Sequence, residues 1–373
     1  MRIAFLIKRF SPSGGKEIYA LQVARELLNK GHKVDVYAYT ADERFLDGIT
    51  FHCVPQRVSF SNVLSTLYFI RETSKMLRDK SYEIIHSHER NYTQDVLTLH
   101  SFSYLSGLEK YTGLKKFDQK YLSLRSLCYL WLEKRQMGSP WLISVSKRIA
   151  EDAALRYGRT ENVAVIPPGV DIDAFHPDWI KAQRQEARAR LGAQKDELVI
   201  LFMGSAFKRK GLDRLIPALS TNMRLFVVGS GDHGDLYKRM VMHHGLERQV
   251  RFFGFDENVH QYYSSADVVA LPSRSEAFGM SILEAMACGL PTIVSRNSGV
   301  ADIIKHGWNG FLMNDPKELP ELLKALFDED LRSTVGKQAR ITAERYTWEK
   351  IAAAHENCYE TILSGKTDRS QIP

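Results

Sequence analysis

Residues 198–219 read LVILFMGSAFKRKGLDRLIPAL. The first six side chains are all apolar, which is typical of a strand buried on both faces of a parallel sheet. Residues 204–211 are then predicted to form a loop, and residues 212–219 have the apolar spacing of a helix that packs against the sheet. A strand, a loop and a helix in this order form the repeating unit of an α/β fold.

This alternation continues along the chain in both directions. In the second half, strands are predicted over residues 224–228, 250–253, 268–271 and 291–295, with a helix over residues 281–288. In the first half, strands are predicted over residues 3–7, 33–39, 84–86, 96–99 and 141–145, with a helix over residues 17–30. The pattern indicates one parallel sheet in each half, with ligands bound at the carboxyl ends of the strands.

Length and composition are those of a globular protein with two domains. The 373 residues exceed a comfortable single core, and Pro167-Pro168 predicts a stiff linker near the end of a first domain of residues 1–166. The four cysteines are scattered, which favours a reducing compartment over a disulfide framework or a zinc site. No uncharged apolar stretch approaches about 18 residues, so we expect a cytoplasmic protein without a membrane-spanning helix.

Positive charge is concentrated in the first half of the chain. Residues 1–165 contain 25 Lys and Arg against 17 Asp and Glu, and the net charge of the whole chain is +7. The basic residues are most frequent in residues 110–135, where they alternate with aromatic and leucine side chains. We call this segment the basic stretch. Its basic residues are Lys110, Lys115, Lys116, Lys120, Arg125, Lys134 and Arg135. Such a stretch suits an anionic membrane surface or an anionic lipid-linked acceptor, and equally a core helix with a solvated basic face. Nucleic acid is not expected as a partner, because no recognised binding motif accompanies the charge.

Residues 275–284 read SEAFGMSILE and place two carboxylates, Glu276 and Glu284, eight positions apart. A tight turn is predicted at Phe278-Gly279, and the helix that follows begins with unpaired backbone amides that suit a phosphate. These amides belong to Met280, Ser281 and Ile282. Since carboxylates accept well from sugar hydroxyls, the segment suits a nucleotide sugar, which has a sugar at each end of a diphosphate. The alternative is an ordinary strand-loop-helix with surface glutamates.

Four other motifs suggest different chemistry. Residues 229–234 read GSGDHG and match the G-x-G-x-x-G pattern of an NAD-dependent oxidoreductase, but they follow the second strand of their domain and not the first. Asp171-Ile172-Asp173 imitates a metal-binding D-x-D motif, although its place in the linker favours a turn or a helix cap, and we expect no metal. His86-Ser87-His88 and His243-His244 lack partners at ligand spacing, so core packing or solvent exposure is expected.

Taken together, the motifs resemble those of the retaining glycosyltransferases of family 4, which have the GT-B fold. The resemblance covers almost the whole chain, and the order and spacing of the motifs are specific. The matching segments are Gly14-Gly15 and residues 85–89 (IHSHE), 165–171 (VIPPGVD), 204–211 (GSAFKRKG), 276–284, 307–311 (GWNGF) and 346–349 (YTWE). Within the family, the chain is most similar to the enzymes that add glucose to heptose I of the lipopolysaccharide inner core.

The resemblance implies two Rossmann-like domains that face a central cleft. Residues 1–166 would form the acceptor-binding domain and residues 167–345 the nucleotide-sugar-binding domain, while a helix in residues 346–373 would cross back to the first domain. The nucleotide sugar, UDP-glucose, is a substrate, and neither a separate cofactor nor a metal is implied.

Roles for single residues of the second domain follow from the same resemblance. Arg209 and Lys210 match the pair that binds the donor diphosphate, where two cations stabilise the charge of the leaving group. Glu284 matches the carboxylate that accepts from the ribose hydroxyls. Glu276 matches the carboxylate that contacts the donor sugar near C3 and C4.

In the first domain, His100 follows the strand over residues 96–99 and matches a histidine that contacts the 6-hydroxyl of the donor sugar or the reaction-centre oxygen. Gly14 and Gly15 match a loop whose bare backbone approaches the phosphate and the sugar, which a side chain would prevent.

The implied reaction is the transfer of a hexose to a lipid-linked saccharide with retention of configuration, the leaving phosphate accepting the proton. The inner-core heptose is the expected acceptor, while phosphatidylinositol or a polyprenyl-linked oligosaccharide would suit the same basic face. The basic stretch predicts peripheral association with the inner face of the cytoplasmic membrane. Alternative activities are a nucleotide-sugar 2-epimerase, a hydrolase, an NAD-dependent oxidoreductase and a non-enzymatic membrane-surface module.

Overall fold

The structure is a computed structural model that describes residues 1–58, 60–109, 123–232 and 234–369. The chain forms two compact units. Unit 1 contains Met1–Pro168 and the chain from Trp348 onward, and unit 2 is Gly169–Thr347. The chain therefore passes from unit 1 to unit 2 directly after Pro167-Pro168, and it returns to unit 1 after Thr347.

Unit 1 is built on a parallel sheet. Its strands are β1 (Arg2–Leu6), β2 (Arg9–Phe10), β3 (Lys33–Ala38), β4 (Thr40–Ala41), β5 (Thr50–Cys53), β6 (Ile84–Ser87), β7 (Val96–Leu99), β8 (Trp141–Ser144) and β9 (Val163–Val165). Its helices before Pro168 are α1 (Gly15–Asn29), α2 (Asn62–Leu77), α3 (Tyr104–Leu108), α4 (Leu124–Gln136) and α5 (Lys147–Tyr157). The sheet order is β5-β3-β1-β6-β7-β8-β9, and β2 pairs separately with β4.

Unit 2 repeats this design. Its strands are β10 (Leu198–Met203), β11 (Met223–Val228), β12 (Val250–Gly254), β13 (Val268–Leu271), β14 (Thr292–Ser295) and β15 (Phe311–Met313). Its helices are α6 (Pro177–Leu191), α7 (Phe207–Lys210), α8 (Leu212–Leu215), α9 (Gly234–His243), α10 (His260–Ser265), α11 (Met280–Ala287), α12 (Leu319–Ala325) and α13 (Glu329–Ala343). The parallel sheet has the order β12-β11-β10-β13-β14-β15. All six residues of β10 are buried, as expected of a central strand covered on both faces.

Residues 204–219 differ from the sequence-based expectation in two places. The loop predicted over residues 204–211 contains the short helix α7, which Phe207 anchors by packing its buried ring against Tyr237 and Phe202. The helix predicted over residues 212–219 has α-helical geometry only in α8 and continues as a 3-10 turn. The change coincides with Pro217, whose ring nitrogen has no hydrogen to donate.

The final helix, α14 (Trp348–Arg369), belongs to unit 1. It packs along α1, and its inward side chains Ile351, His355 and Tyr359 are buried. The hydroxyl of Tyr19 on α1 lies 2.8 Å from Nε2 of His355 and donates to the carbonyl oxygen of Ile166 at 3.0 Å. The last helix therefore completes the core of the first unit.

Most of the basic stretch over residues 110–135 lies outside the described residues, Lys110, Lys115, Lys116 and Lys120 among them. Its described part is the end of the stretch, which forms α4. Among the helices that the structure describes, none combines the length and the apolar character that crossing a bilayer requires.

Candidate functional site

Three loops of unit 2 meet at the carboxyl ends of the neighbouring strands β10, β11 and β13. Their backbones touch because glycines stand at the contacts. A Cβ atom on Gly211 would overlap the carbonyl oxygen of Pro272, and one on Gly229 would lie 2.6 Å from the carbonyl oxygen of Gly204. All three glycines have positive φ angles, which side chains disfavour. This close packing fixes the position of α7 at the end of the sheet.

An ion cluster joins α7 to the loop after β13. Oε2 of Glu276 lies 2.9 Å from Nη1 of Arg209 and 3.1 Å from Nζ of Lys210. Lys210 reaches Glu276 across Gly204, where a Cβ atom would overlap the lysine side chain. Arg209 also donates to the carbonyl oxygen of Ser275 at 3.0 Å. The fold thus brings together three residues that the sequence predicted to act at one site.

Glu276 is held as a charged carboxylate. Its burial alone would raise the pKa, but Lys210 and Arg209 outweigh this effect and lower the pKa below the ordinary value. Its backbone is fixed as well, because its N–H donates to the carbonyl oxygen of Asn297 at 3.2 Å and its own carbonyl accepts from Gly299 at 3.0 Å. The two cations are therefore directed at one rigidly placed anion.

The second carboxylate of the segment, Glu284, lies on α11. The hydroxyl of Tyr263 donates to its Oε2 at 2.6 Å and also to the carbonyl oxygen of Ser281 at 3.1 Å. Burial raises the pKa of Glu284, while the Tyr263 hydrogen bond and Lys210 act in the opposite direction. Burial, together with the nearby Glu284, raises the pKa of Tyr263, so its hydroxyl remains a donor at neutral pH.

The start of α11 follows the predicted turn. Gly279 has a φ angle of 110°, and Phe278 before it is buried, its carbonyl oxygen accepting from Val300 at 2.9 Å. The amides of Met280 and Ser281 make no hydrogen bond to another residue that the structure describes. The prediction of a third free amide was wrong, because Ile282 donates to the carbonyl oxygen of Gly279 at 3.0 Å in a tightened first turn.

The glycine pair of unit 1 lies where the loop after β2 meets the helix α1. Gly14 is the N-cap of α1 with an extended φ of −171°, and Gly15 is the first helical residue. The helix therefore begins two residues earlier than predicted. A Cβ atom on Gly14 would lie 2.7 Å from Oε2 of Glu17, so this short approach is to a flexible side chain. The next residue, Lys16, forms an ion pair with Glu89.

His100 lies at the carboxyl end of β7, beside a cavity of about 120 Å³ in unit 1. Lys16, Glu89 and Arg90 line the same cavity. Nε2 of His100 lies 3.0 Å from Nδ1 of His88. Burial lowers the pKa of His100 to about 3, with Lys16 adding to the effect, so the ring is neutral at physiological pH.

The remaining motifs have structural explanations. In GSGDHG, a Cβ atom on Gly231 would overlap the ring of Phe207, so the glycines of this loop make room for α7. Oδ1 of Asp171 accepts from the amides of Asp173 and Ala174 at 3.1 and 2.9 Å, which is the predicted turn. His86 and His88 are buried in the core, and His243-His244 is exposed, as expected.

Two contacts of the candidate site residues were not predicted from the sequence. Tyr263 comes from α10 and His88 from the end of β6, and neither forms a recognisable motif with the residue that it contacts. The available signal is a general one, since a buried tyrosine hydroxyl or imidazole requires a hydrogen-bond partner. Which partner it finds depends on the tertiary fold.

Two family models match the chain, one after the other. Residues 13–174 match the model described as Glycosyltransferase Family 4, and residues 183–342 match that described as Glycosyl transferases group 1. Among curated relatives, the D-inositol 3-phosphate glycosyltransferase of Corynebacterium jeikeium is 28% identical, with 97% of this chain and 97% of the relative covered.

Two solved structures have the same architecture. WaaG, a glycosyltransferase involved in lipopolysaccharide biosynthesis, matches with a TM-score of 0.82 at 24% identity, covering 96% of this chain and 99% of its own. Alr3699/HepE of Anabaena in complex with UDP-glucose matches with a TM-score of 0.74 at 23% identity, covering 98% and 100%. The parallel sheet in each unit, the two matching family models and these solved structures all indicate the same family and fold. The chain belongs to the family 4 glycosyltransferases and has the GT-B fold.

Proposed function

We propose that the protein transfers a hexose, glucose, from a UDP-sugar to a lipid-linked anionic saccharide with retention of configuration. The observation that carries the proposal is the cluster of Glu276, Arg209 and Lys210 beside the start of α11. Paired cations next to free helix amides form an anion site of the kind that a diphosphate requires. A structure of similar architecture in complex with UDP-glucose supports the choice of donor.

In this proposal Arg209 and Lys210 bind the diphosphate. The diphosphate competes with Glu276 for these two positive charges. The amides of Met280 and Ser281 add two neutral donors at the positive end of the α11 dipole. Glu284, held by Tyr263, accepts from the ribose hydroxyls. Each of these groups lies in unit 2, so donor binding is assigned to residues that the fold of this unit alone brings together.

The reaction exchanges one bond for another at the anomeric carbon. The bond from this carbon to the oxygen of the β-phosphate breaks, and a bond to the acceptor hydroxyl oxygen forms on the same face. The acceptor proton passes to the leaving phosphate, so no separate base is needed. Arg209 and Lys210 stabilise the charge that develops on the diphosphate, which makes the transfer independent of a metal ion. Glu276 accepts from hydroxyls of the donor sugar near C3 and C4.

The acceptor is proposed from the surface of unit 1. The side chains of Leu124, Leu127 and Trp131 are 76%, 43% and 49% exposed and recur at the spacing of one helical face on α4. The guanidinium of Arg135 lies 5.3 Å from the centre of the Trp131 ring, on the same face. An exposed apolar face with basic residues suits an anionic membrane surface, so we place the protein at the inner face of the cytoplasmic membrane. Inner-core heptose of lipopolysaccharide is the proposed acceptor, in line with the lipopolysaccharide role of WaaG.

A soluble phosphorylated acceptor is the second candidate. The D-inositol 3-phosphate glycosyltransferase relative is similar over almost its whole length. A cyclic polyol phosphate shares with an inner-core saccharide its hydroxyl groups and its negative charge. In this case the exposed face of α4 would have no role in reaching the acceptor.

Calorimetric titration tests the donor assignment. We expect UDP and UDP-glucose to bind without added metal, and Lys210→Ala and Glu284→Ala each to weaken binding of UDP about tenfold or more. Glu276→Ala should abolish transfer while the protein stays folded. Binding of NAD with no response to UDP would overturn the proposal. Release of UDP from UDP-glucose with heptose-containing core saccharide or D-inositol 3-phosphate then distinguishes the two acceptors.

Sedimentation with vesicles of phosphatidylglycerol and phosphatidylcholine tests the membrane assignment. Replacing Leu124, Leu127 and Trp131 together by Ser should reduce vesicle binding about tenfold or more, because apolar burial drives interfacial binding. Leu155→Ser is the matched control, since Leu155 is 75% exposed on the neighbouring helix α5. Equal binding by the triple variant and the unmodified protein would show that this face does not contact membrane.

A further inference from the structure

The hydrogen bond between His88 and His100 carries one more inference. We propose that His88 is a positioning residue that fixes His100 as its Nδ1–H tautomer, so that His100 offers the transferred sugar a hydrogen-bond donor and never an acceptor. The proposal rests on the proposed function and on the contact between His100 and the donor sugar that the family resemblance implies. Its first test, however, requires neither donor nor acceptor substrate.

The geometry requires one ring to donate and the other to accept. His88 follows β6 and His100 follows β7, two neighbouring strands of the unit 1 sheet. Nδ1 of His88 lies 3.0 Å from Nε2 of His100, and the ring centres are 5.2 Å apart. At this distance one nitrogen carries the hydrogen and the other presents its lone pair.

Both rings are neutral. Burial lowers the pKa of His88 well below its ordinary value, and His86, His100, His355 and Lys16 act in the same direction. The pKa of His100 is also low, for the reasons given above. A neutral imidazole has one N–H and one lone pair, so only two arrangements of the pair are possible. In the first His88 donates from Nδ1, and in the second His100 donates from Nε2.

The other nitrogen of His88 decides between the two arrangements. Nε2 of His88 is buried and has no hydrogen-bond partner within the described part of the chain. In the second arrangement it would carry a hydrogen and become a buried donor without an acceptor. Such orphaned N–H groups are rarer than under-satisfied acceptors, because a lone pair is tolerated more readily. We therefore assign the hydrogen of His88 to Nδ1, where it is used in the bond to His100.

The neighbouring histidines do not disturb this assignment. His86 is occupied on both sides, with its Nδ1 2.6 Å from the hydroxyl of Tyr359 and its Nε2 2.6 Å from that of Thr98. His355 contacts Tyr19 through Nε2 at 2.8 Å. In the described structure, neither ring forms a hydrogen bond to Nδ1 of His88 or to either nitrogen of His100.

The consequence for His100 is that one ring nitrogen is fixed as an acceptor and the other as a donor. Its Nε2 accepts from His88, so the hydrogen lies on Nδ1, and the ring lines the cavity described above. A neutral ring of this tautomer donates to an oxygen lone pair and takes no proton from a hydroxyl. His100 is thereby assigned to orienting a sugar oxygen and not to acting as a general base.

Nitrogen-15 NMR of histidine-labelled protein without ligand is the first test. We expect the His100 resonances, assigned with His100→Gln, to show a protonated Nδ1 and an unprotonated Nε2. Observation of Nε2–H on His100 would overturn the proposal. In His88→Asn the side-chain amide N–H replaces Nδ1 and should preserve the tautomer, whereas His88→Leu should lose it.

Kinetics of the same variants separate positioning from folding. We expect kcat for sugar transfer to fall about tenfold to a hundredfold in His88→Leu with little change in KM for the donor, and His88→Asn to recover most of the loss. His355→Gln, in the same buried cluster, should keep the His100 tautomer. Equal losses in folded His88→Leu and His88→Asn would refute the positioning role. If the unmodified protein turns over no UDP-sugar, the proposed function fails, while the NMR result still decides the tautomer.

Discussion

Tyr263 is the residue whose removal should test donor binding with least disturbance. In Tyr263→Phe the ring remains and only the hydroxyl that donates to Glu284 is lost. A hydrogen bond to a charged group contributes about 1.5 kcal/mol or more, so we expect UDP affinity to fall roughly tenfold. The pKa of Glu284 should rise further, because the bond that lowers it is gone. Calorimetric titration with UDP at neutral pH measures the affinity.

The adjacent Tyr262→Phe is the control for this prediction. Its hydroxyl donates to Asp256 at 2.7 Å, on the same short helix but with a different partner. UDP affinity should be unaffected there. The loss in Tyr263→Phe should shrink for 2′,3′-dideoxyuridine diphosphate, which lacks the hydroxyls assigned to Glu284. An equal loss for both nucleotides would contradict the assignment of Glu284 to the ribose.

At the scale of single residues, the sequence predicts those features of the site that depend only on residues adjacent in the chain. Glu276 and the free amides of Met280 and Ser281 follow from one short segment and its turn. Ile282 was misjudged because the first turn of α11 tightens, a detail of backbone geometry. The partners Tyr263 and His88 were inaccessible to sequence reasoning, since each is brought to its contact from another element of the fold.

At the scale of elements, α7 shows how a short helix places two cations. Gly204→Ala should disturb this placement, because its Cβ would overlap the side chain of Lys210 and its φ of +134° is strained for alanine. We expect a loss of stability of about 1–3 kcal/mol and a fall in UDP affinity of about tenfold. Thermal unfolding and titration with UDP measure the two effects separately.

Gly245→Ala separates backbone strain from displacement of Lys210. Gly245 has a φ of +66°, and a Cβ atom there would meet nothing within 4 Å. This variant should lose some stability through strain alone and keep its affinity for UDP. A Gly204→Ala variant that binds UDP normally would mean that Lys210 can leave Gly204 and still reach the diphosphate.

The element pattern was predictable where apolar runs are continuous. β10 and β13 were predicted with the bounds that the structure has, because every side chain in them is buried. β5 and β9 were missed, and their side chains are exposed or only partly buried. The helix α7 was missed because it has only four residues and lies in a short segment bounded by Gly204 and Gly211.

At the scale of the whole molecule, unit 1 depends on the last helix. The hydroxyl of Tyr359 lies 2.6 Å from Nδ1 of His86, and Glu356 contacts Lys30 and His32 at 3.0 and 2.8 Å. A chain ending at Thr347 should leave these groups and the apolar face of α1 exposed. We expect unit 1 to lose protease resistance while the core of unit 2 keeps it, which mass spectrometry of limited digests would detect.

A chain ending at Ser364 is the matched control. It keeps the buried side chains Ile351, His355, Tyr359 and Ile362 and removes only residues beyond them. Its digest should resemble that of the full chain. Protease resistance of unit 1 in the chain ending at Thr347 would show that the rest of the unit folds without α14.

The return of the chain to unit 1 also has a consequence for its synthesis. A ribosome makes residues 1–168 before unit 2 and α14 after it. Unit 2 is contiguous and can fold as it emerges, whereas Tyr19 and His86 of the nascent first unit find their partners His355 and Tyr359 only after α14 has been made. Translation that stops early therefore yields a polypeptide with a completed second unit and an unfinished first one, which quality-control proteases would recognise by its exposed α1 surface.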